Sequence, residues 1–377
     1  MLKIIPNLFQ ILNNCVKMII RNAGDEMILK MPMYCKNFRC IADKCKDNCC
    51  IGWEIDIDSS SAEYYKSLKG TFGDKLRNNI KDADICSFKL IDERCPFLNE
   101  NNLCEIIINL GEDKLCQICS DHPRFFEWYC DVKEGGIGLC CEEAARLIVP
   151  CKENFSTYDM PCKDSGCNDY NKELYEMLLF ARGEIIKLLE DESVTLRERL
   201  NTVISYAFEL QYMADNYEFK KISPQEISPP EETQSDVKGF LECFTDLEPI
   251  DESWQEYLTQ LIGNSHSLQQ QLHTYDTDFE LYLKNISVYF IWRYFLKGVY
   301  DEEFLSKVIL SAVSCAMIKL MYINELSPGQ NINDETCSIT AKRYSKEIEY
   351  SMENLDKIYD MVYDNPAFST ENILSII

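Results

Sequence analysis

The sequence predicts a mainly α protein: a loop-rich cysteine-cluster domain over residues 31–150, followed by an all-helical domain over residues 151–377. Three observations predict it. Of 20 cysteines, sixteen fall between Cys35 and Cys167, and only Cys243, Cys315 and Cys337 lie beyond. Glycine (14) and proline (12) are sparse for 377 residues, which argues against an all-β chain full of tight turns. Apolar residues in the second half recur at helical spacing.

Taken in chain order, Met1 to Ile20 has an apolar character interrupted by Asn7, Gln10, Asn13, Asn14 and Lys17, and no small-x-small cleavage site follows. Residues 1–30 are therefore expected to be an extension outside the fold, with Met27, Met31 and Met33 as alternative starts. Trp53 to Asp58 alternates as one strand does, and Ser59 to Ser61 with Glu63 opens a helix with serine caps and an acid in its first turn. From about Asn171 the pattern turns helical. Leu196, Leu200, Val203, Ala207 and Leu210 form one face of an amphipathic helix, and Phe304, Val308, Ala312, Cys315 and Lys319 trace another. Residues 279–298 are rich enough in aromatics to be a central buried helix. A last helix, charged on one face, is expected from about Thr340 to Val362. Ile222 to Val237, with three prolines plus Ser, Gln and Glu, reads as a solvated loop. These stripes are core packing rather than cofactor boxes.

The cysteines carry the chemistry. The series is Cys40-x4-Cys45-x3-Cys49-Cys50, then Cys95-x8-Cys104, Cys116-x2-Cys119 and Cys140-Cys141. Short spacings put two sulfurs on one turn of backbone, facing one metal. A secreted disulfide scaffold is short and signal-led, whereas this chain is long and continues into a cysteine-poor half. Metal ligation in a reducing compartment is the better reading. His122 is the only histidine of this half, so the donor set is nearly all sulfur. That favours an iron–sulfur centre, with zinc as the alternative. Cys15, Cys35, Cys86, Cys130, Cys151, Cys162 and Cys167 lie outside the tight spacings and read as ordinary small thiols, although Cys162-x4-Cys167 has the spacing of an extra pair.

The net charge is −25, from 63 acidic and 38 basic residues. Such a surface repels phosphate backbones and anionic lipid, so neither nucleic acid nor a membrane surface is an expected partner. There is no uninterrupted apolar run of about 18 residues, the length a membrane span needs. The expected location is cytoplasmic.

Several stretches together resemble the flagellin lysine-N-methylase family. They are Tyr34-x3-Phe38-x-Cys40-x4-Cys45-x3-Cys49-Cys50-x-Gly52-Trp53, then Arg94 to Ile106, Leu115 to Phe126 and Cys140 to Ile148. The cysteine core is also similar to a broader group of zinc- or iron-chelating cysteine-cluster proteins. Phe290 to Asp301 and Tyr344 to Leu355 extend the likeness into the second half. Tyr350 stands where many members carry histidine, Cys140 doubles a position usually held by one cysteine, and the first 26 residues have no counterpart. The resemblance implies methyl transfer to the ε-amine of a flagellin lysine, with S-adenosylmethionine as donor and an iron–sulfur centre, 4Fe–4S in type. The matched cysteines are Cys40, Cys45, Cys49, Cys50, Cys95, Cys104, Cys116, Cys119 and Cys141. A cubane needs four at most, so this set exceeds the ligands.

The residues by themselves do not spell a methyltransferase. No strand–glycine loop–helix unit of the Rossmann type is visible. Gly135-Gly136-x-Gly138 reads as a tight turn at a metal site, and Cys45-x3-Cys49-Cys50 lacks the last step of a radical-type C-x3-C-x2-C triad. Lysine attacks only as the neutral amine, so a group must take its proton. Asp121, His122 and Arg124, beside the cluster, are the catalytic candidates, against a purely structural role as turn and ion-pair residues. Trp53, Trp128 and Tyr129 are expected to keep water off a cluster, or to wall a cation. A metal-binding scaffold without enzymatic activity is the alternative function, and a redox carrier a third.

Overall fold

A computed structural model describes residues 27–377 apart from Trp53, Cys130, residues 165–169, Glu226, residues 230–232 and residues 327–331. Cys15, Cys167 and most of the expected extension lie outside the described residues. Residues 27–30 do not belong to an extension: they open the first strand of the fold.

The elements run in order as β1 (Met27–Pro32), β2 (Asp56–Ile57), α1 (Ser59–Ser67), α2 (Thr71–Asn78), β3 (Ile80–Lys81), β4 (Cys86–Phe88), α3 (Glu105–Leu110) and α4 (Gln117–Asp121). There follow β5 (Arg124–Tyr129), β6 (Val132–Ile137), α5 (Glu142–Ile148), β7 (Thr157–Cys162), α6 (Lys172–Leu189), α7 (Leu196–Asp215), α8 (Val237–Glu242), α9 (Glu252–Gly263) and α10 (Ser265–Gln271). The chain ends with α11 (Asp276–Tyr294), α12 (Gly298–Asp301), α13 (Leu305–Glu325), α14 (Asp334–Glu349), α15 (Met352–Asp364) and α16 (Thr370–Ile376). The protein is mainly α, and after Cys162 every regular element among the described residues is helical.

Two sheets lie in the first half. The larger has the order β5-β6-β1-β7, with β1 parallel to β6 (Leu29 opposite Lys133) and antiparallel to β7 (Leu29 opposite Met160). The smaller has the order β2-β4-β3. The strand expected over residues 53–58 shrinks to Asp56–Ile57, and Trp53 lies outside the described residues. Gly135 and Gly136 form no turn. They sit in β6, where an added Cβ would come within 2.4 Å of the Phe125 ring at Gly136 and 2.8 Å of the Phe126 ring at Gly135. Glycine lets the β5 aromatics lie across the neighbouring strand.

The hydrophobic core splits differently from the expected boundary near residue 150. One large core joins Met31, Phe38, Ile137 and Leu139 from the first half to the buried faces of α6, α7, α11, α13, α14 and α16. A second, smaller core contains Ile55, Tyr65, Phe88, Phe97, Cys95 and Cys116. The larger sheet thus belongs with the helices, and the separate unit is narrower than residues 31–150. A buried bidentate pair, Arg182 Nη1 and Nη2 each 2.6 Å from a Glu134 carboxylate oxygen, ties α6 to β6.

The helical stripes hold. Leu196, Leu200, Val203, Ala207 and Leu210 are all buried in α7, and Val308, Ala312, Cys315 and Lys319 in α13. The aromatic α11 packs mainly on α13. By length and composition α13 could cross a membrane, but it is enclosed by the protein on every side and forms the centre of the fold. The single terminal helix expected from Thr340 to Val362 is two helices. α14 stops at Glu349, and Ser351 caps α15 by accepting a hydrogen bond from Asn354 N. α14 also buries Lys342, Glu347 and Glu349. The stretch between α7 and α8 carries no regular element among its described residues.

Candidate metal centre

Local hydrogen bonds bring the cysteines together. In α1, Asp58 rather than a serine is the N-cap, with Oδ1 accepting from Ser61 N at 2.9 Å. Its Oδ2 accepts from Gln117 N at 2.8 Å, so one carboxylate fixes the start of α1 and of the turn bearing Cys116 and Cys119. Burial alone would raise the Asp58 pKa. Hydrogen bonds from Ser60, Gln117 and Ser61 outweigh it and hold the carboxyl well below its usual range. Cys116 is the N-cap of α4 and Cys119 lies in its first turn, which puts both sulfurs on one side. Backbone bonds from Cys95 N to Cys50 O (2.8 Å) and from Gly52 N to Glu93 O (2.9 Å) lay the Cys50 segment against Cys95. A bridge between Leu98 and Cys104 folds Cys104 back beside Cys95 at the start of α3.

Six of the nine expected ligands form one group: Cys49, Cys50, Cys95, Cys104, Cys116 and Cys119. A hydrogen bond between Cys49 and Cys50 pushes the first thiol down and the second up, and Cys116 and Cys119 repeat the arrangement. Cys50 is also raised by the nearby charges of Cys95 and Cys104, and Cys119 by those of Cys50 and Cys95. Burial, opposed by backbone hydrogen bonds and reinforced by neighbouring thiolates, pushes Cys95 up to about 11. Tyr65, buried and donating to Lys114 O at 2.6 Å, feels Cys116 and Cys119 and closes the inner side of the group.

Cys45 and Cys141 flank this group. Cys45 lies beside Glu142 (Sγ to Oε2, 3.7 Å) and within electrostatic reach of Cys49 and Cys141. Burial raises Cys141 to about 12. Cys40 is exposed, and among the described residues no thiol contact joins it to the others. Cys140, outside the matched set, is fully buried and hydrogen-bonds with Tyr350. The Tyr350 hydroxyl in turn lies within reach of Cys49 and Cys141. The sequence did not mark Asp58 as a cap, and it marked Tyr350 only as standing where many relatives carry histidine, not as a neighbour of the thiols. The Asp-Ser-Ser-Ser run did carry an N-cap signal for Asp58, but nothing local marks Tyr350 as a neighbour of cysteines 200 residues away.

The catalytic candidates separate. His122 packs near the Tyr350 ring, centroids 6.4 Å apart, and burial with the Arg124 charge lowers it to about 4, so the imidazole is neutral at pH 7. Asp121 accepts from Gln117 Nε2 at 2.5 Å. Arg124 is exposed, 5.2 Å from the Phe38 ring centroid. Of the aromatics expected to shield a cluster, Tyr129 instead stacks with Tyr175 and Tyr300, and Trp128 Nε1 donates to Asp164 at 2.9 Å.

Among the described residues, no three His, Cys, Asp or Glu side chains converge as the ligands of a single metal ion do. Four of the sulfurs form two hydrogen-bonded thiol pairs instead, Cys49 with Cys50 and Cys116 with Cys119. A cubane asks for a different arrangement, because each cysteine binds a separate iron at a corner. Six neighbouring thiols with no carboxylate or imidazole among them are an all-sulfur donor set, which suits a cubane or an all-cysteine zinc site. A groove of about 430 Å³ lined by Asn201, Ser205, Phe208, Phe368 and Glu371 shares no residue with this group.

Beneath the Cys140-Cys141 pair lies a buried polar network. Glu349 accepts from Tyr289 Oη (2.9 Å), Tyr294 Oη (2.8 Å) and Ser345, and pairs with Arg293 at 3.0 Å. Tyr289 Oη accepts from Leu139 N at 3.0 Å, which fixes the backbone entering the cysteine pair. Helices α11 and α14, from the second half, therefore hold one side of the thiol region.

The chain is 28% identical over 135 residues to a lysine-N-methylase of Salmonella choleraesuis (strain SC-B67) and, over the same length, to one of Salmonella typhimurium (strain LT2). Each alignment covers 33% of this chain and 33% of the relative, so the match spans about a third of the length of these curated proteins. A flagellar biosynthetic protein FliU of Salmonella muenchen is 28% identical over 132 residues, covering 33% of this chain and 78% of that protein. No solved structure matches. The model of the FliB lysine N-methylase C-terminal domain matches residues 182–376, which is the helical body from Arg182 through α14, with Glu349 and Tyr350, to the last helix. The chain belongs to the FliB lysine N-methylase family.

Proposed function

We propose that the protein is a protein-lysine N-methyltransferase acting on a flagellar protein, flagellin, with S-adenosylmethionine as methyl donor and an iron–sulfur centre held by four of the six grouped thiols. The observation that carries this reading is the family match over residues 182–376, whose helix α14 ends against the cysteine region. The names of the relatives, lysine-N-methylase and flagellar biosynthetic protein, support the substrate class.

A lysine ε-amine with its ordinary pKa near 10.4 is protonated at pH 7 and must lose that proton before it attacks a methyl sulfonium. His122, neutral and packed near the Tyr350 ring, is our candidate to take that proton. Held by four of the grouped thiols, an iron–sulfur centre would supply an electrophilic site for the donor. The acidic surface attracts a cationic lysine segment over a distance set by ionic strength.

One observation favours a second reading, a metal-stapled scaffold: Cys95 and Cys116 belong to the small core with Tyr65, Phe88 and Phe97, and Cys50, Cys104 and Cys119 pack against it. Anaerobic purification, with iron, sulfide and zinc counts and binding of isotope-labelled S-adenosylmethionine, separates the two. Matched iron and sulfide, donor binding, and methylated lysines on added flagellin support the enzyme. A colourless protein with stoichiometric zinc sinks the iron–sulfur assignment. A metal-loaded protein that binds no donor leaves the scaffold.

A further inference from the structure

The segment that carries Cys45, Cys49 and Cys50 is held in place by charge. From Arg39 to Cys49 no side chain is buried, and the only regular structure is one short 3-10 turn at Ala42–Lys44. Apolar packing therefore contributes little to where this loop sits. From Lys46 to Asp47 its side-chain contacts with the rest of the protein are polar and come from α5 and α14, while at its far end Cys50 O accepts from Cys95 N at 2.8 Å. Lys46 N donates to Glu142 Oε2 at 2.8 Å, and Lys46 Nζ pairs with Glu335 at 3.2 Å. Asp47 pairs with Lys342 and, at 3.2 and 3.3 Å, with Lys346. These two lysines are one turn apart on α14, on the same face. With the loop in place Lys342 is only 8% exposed and Lys346 18%, so both cations that meet Asp47 are largely out of water. Lys346 has one further acidic neighbour, Asp251, at 3.9 Å.

We propose that Asp47, Lys342 and Lys346 form an electrostatic latch by which α14 closes the Cys45–Cys50 loop onto the remaining thiols. All three act through the loop, as positioning residues. The latch explains how a helix of the second half fixes the position of cysteines almost 300 residues earlier. Removing the Asp47 charge takes from Lys342 its carboxylate partner and frees the loop, and α14 keeps its apolar packing through Tyr344 and Ile348. The inference concerns the geometry of the chain and stands whether or not methyl transfer is the reaction.

The test uses full-length protein, reduced and stripped of metal by a chelator, in a pulse of iodoacetamide with each cysteine read by mass spectrometry. Asp47→Asn is expected to speed alkylation of Cys45 and Cys50 about fivefold, the factor a partly buried ion pair commands, while the core residue Cys315 stays protected. The double variant Lys342→Met, Lys346→Met should do the same. In the wild type, raising salt to about 1 M, where the screening length falls to about 3 Å, should speed the same two sites, and in Asp47→Asn it should not. Unchanged rates at Cys45 and Cys50 in Asp47→Asn overturn the latch, as does a salt effect of equal size in variant and wild type. If a variant exposes Cys315 it has lost its fold. The wild-type salt series then decides: acceleration confined to Cys45 and Cys50 supports the latch, and its absence rejects it. Flagellin methylation enters neither readout, so this result and the fate of the proposed function are independent.

Discussion

Glu347 is a single residue with an outsized effect on pH behaviour. Its side chain is buried at the end of α14 and accepts from Ile250 N at 2.8 Å and Asp251 N at 3.4 Å. Burial outweighs these bonds and raises its carboxyl to about 7. The folded protein therefore holds a proton there that the unfolded chain, with a pKa near 4.3, has released. The associated stabilisation is complete below about pH 4 and is lost as pH rises through about 7. Glu347→Gln keeps the acceptor oxygen and removes the ionisation. It should raise stability by roughly 1–2 kcal/mol at pH 8 and by little at pH 5. Urea melts at the two pH values check this, and a gain of equal size at both would contradict it. None of this was legible in the sequence, where Glu347 read as one more charge on an exposed helical face. The periodicity of α14 does not reveal that the segment around Leu247 to Asp251 covers that face.

At the scale of the element, the long helices were legible because their packing is periodic. The apolar stripes of α7 and α13 bury where the spacing put them, and the aromatics of α11 face the core. The break between α14 and α15 was not read, since neither glycine nor proline marks it. Ser351 with Glu353 in the following turn was the available signal, a cap and an acid at a new N-terminus. The larger sheet was missed for a different reason: β1 pairs with β6 across a hundred residues, and no local pattern encodes such a partner. The cysteine spacings were legible as pairs, but which pairs meet depends on loop hydrogen bonds such as those of Asp58. Because that carboxylate serves α1 and α4 together, Asp58→Ala should cost about 1–2 kcal/mol, the upper range for a cap. It should also loosen the Cys116-Cys119 turn. Thermal melts give the first, and faster alkylation of Cys119 in chelated protein the second. Faster labelling with an unchanged melting temperature would show that Asp58 serves the turn alone.

Across the whole molecule, the two cores differ greatly in size, and this sets what a metal does for the fold. The density of cysteines suggested one unit over residues 31–150. Yet Met31, Phe38 and Ile137 pack with the helices, and only the stretch from about Ile55 to Cys119 has a core of its own. Cysteine counts cannot reveal which core a segment joins. Among the described residues that small core has twelve buried members, three of them the aromatics Tyr65, Phe88 and Phe97, with Phe88 edge-on to Phe97 at 4.9 Å. A unit of this size rarely supplies more than about 3–5 kcal/mol by burial alone and usually needs a staple. The grouped thiols line it, so a cluster bound there, as proposed, would add to its stability directly. The large core, built around the enclosed α13, has no such need. Chelation should therefore act on one part of the protein. Hydrogen exchange is expected to rise in α1, α2 and β4 when metal is removed, while α11 and α13 keep their protection. Equal exchange in loaded and chelated protein would mean that the thiols stabilise nothing through metal. A rise spread over both cores would mean that the small unit and the helical body unfold as one.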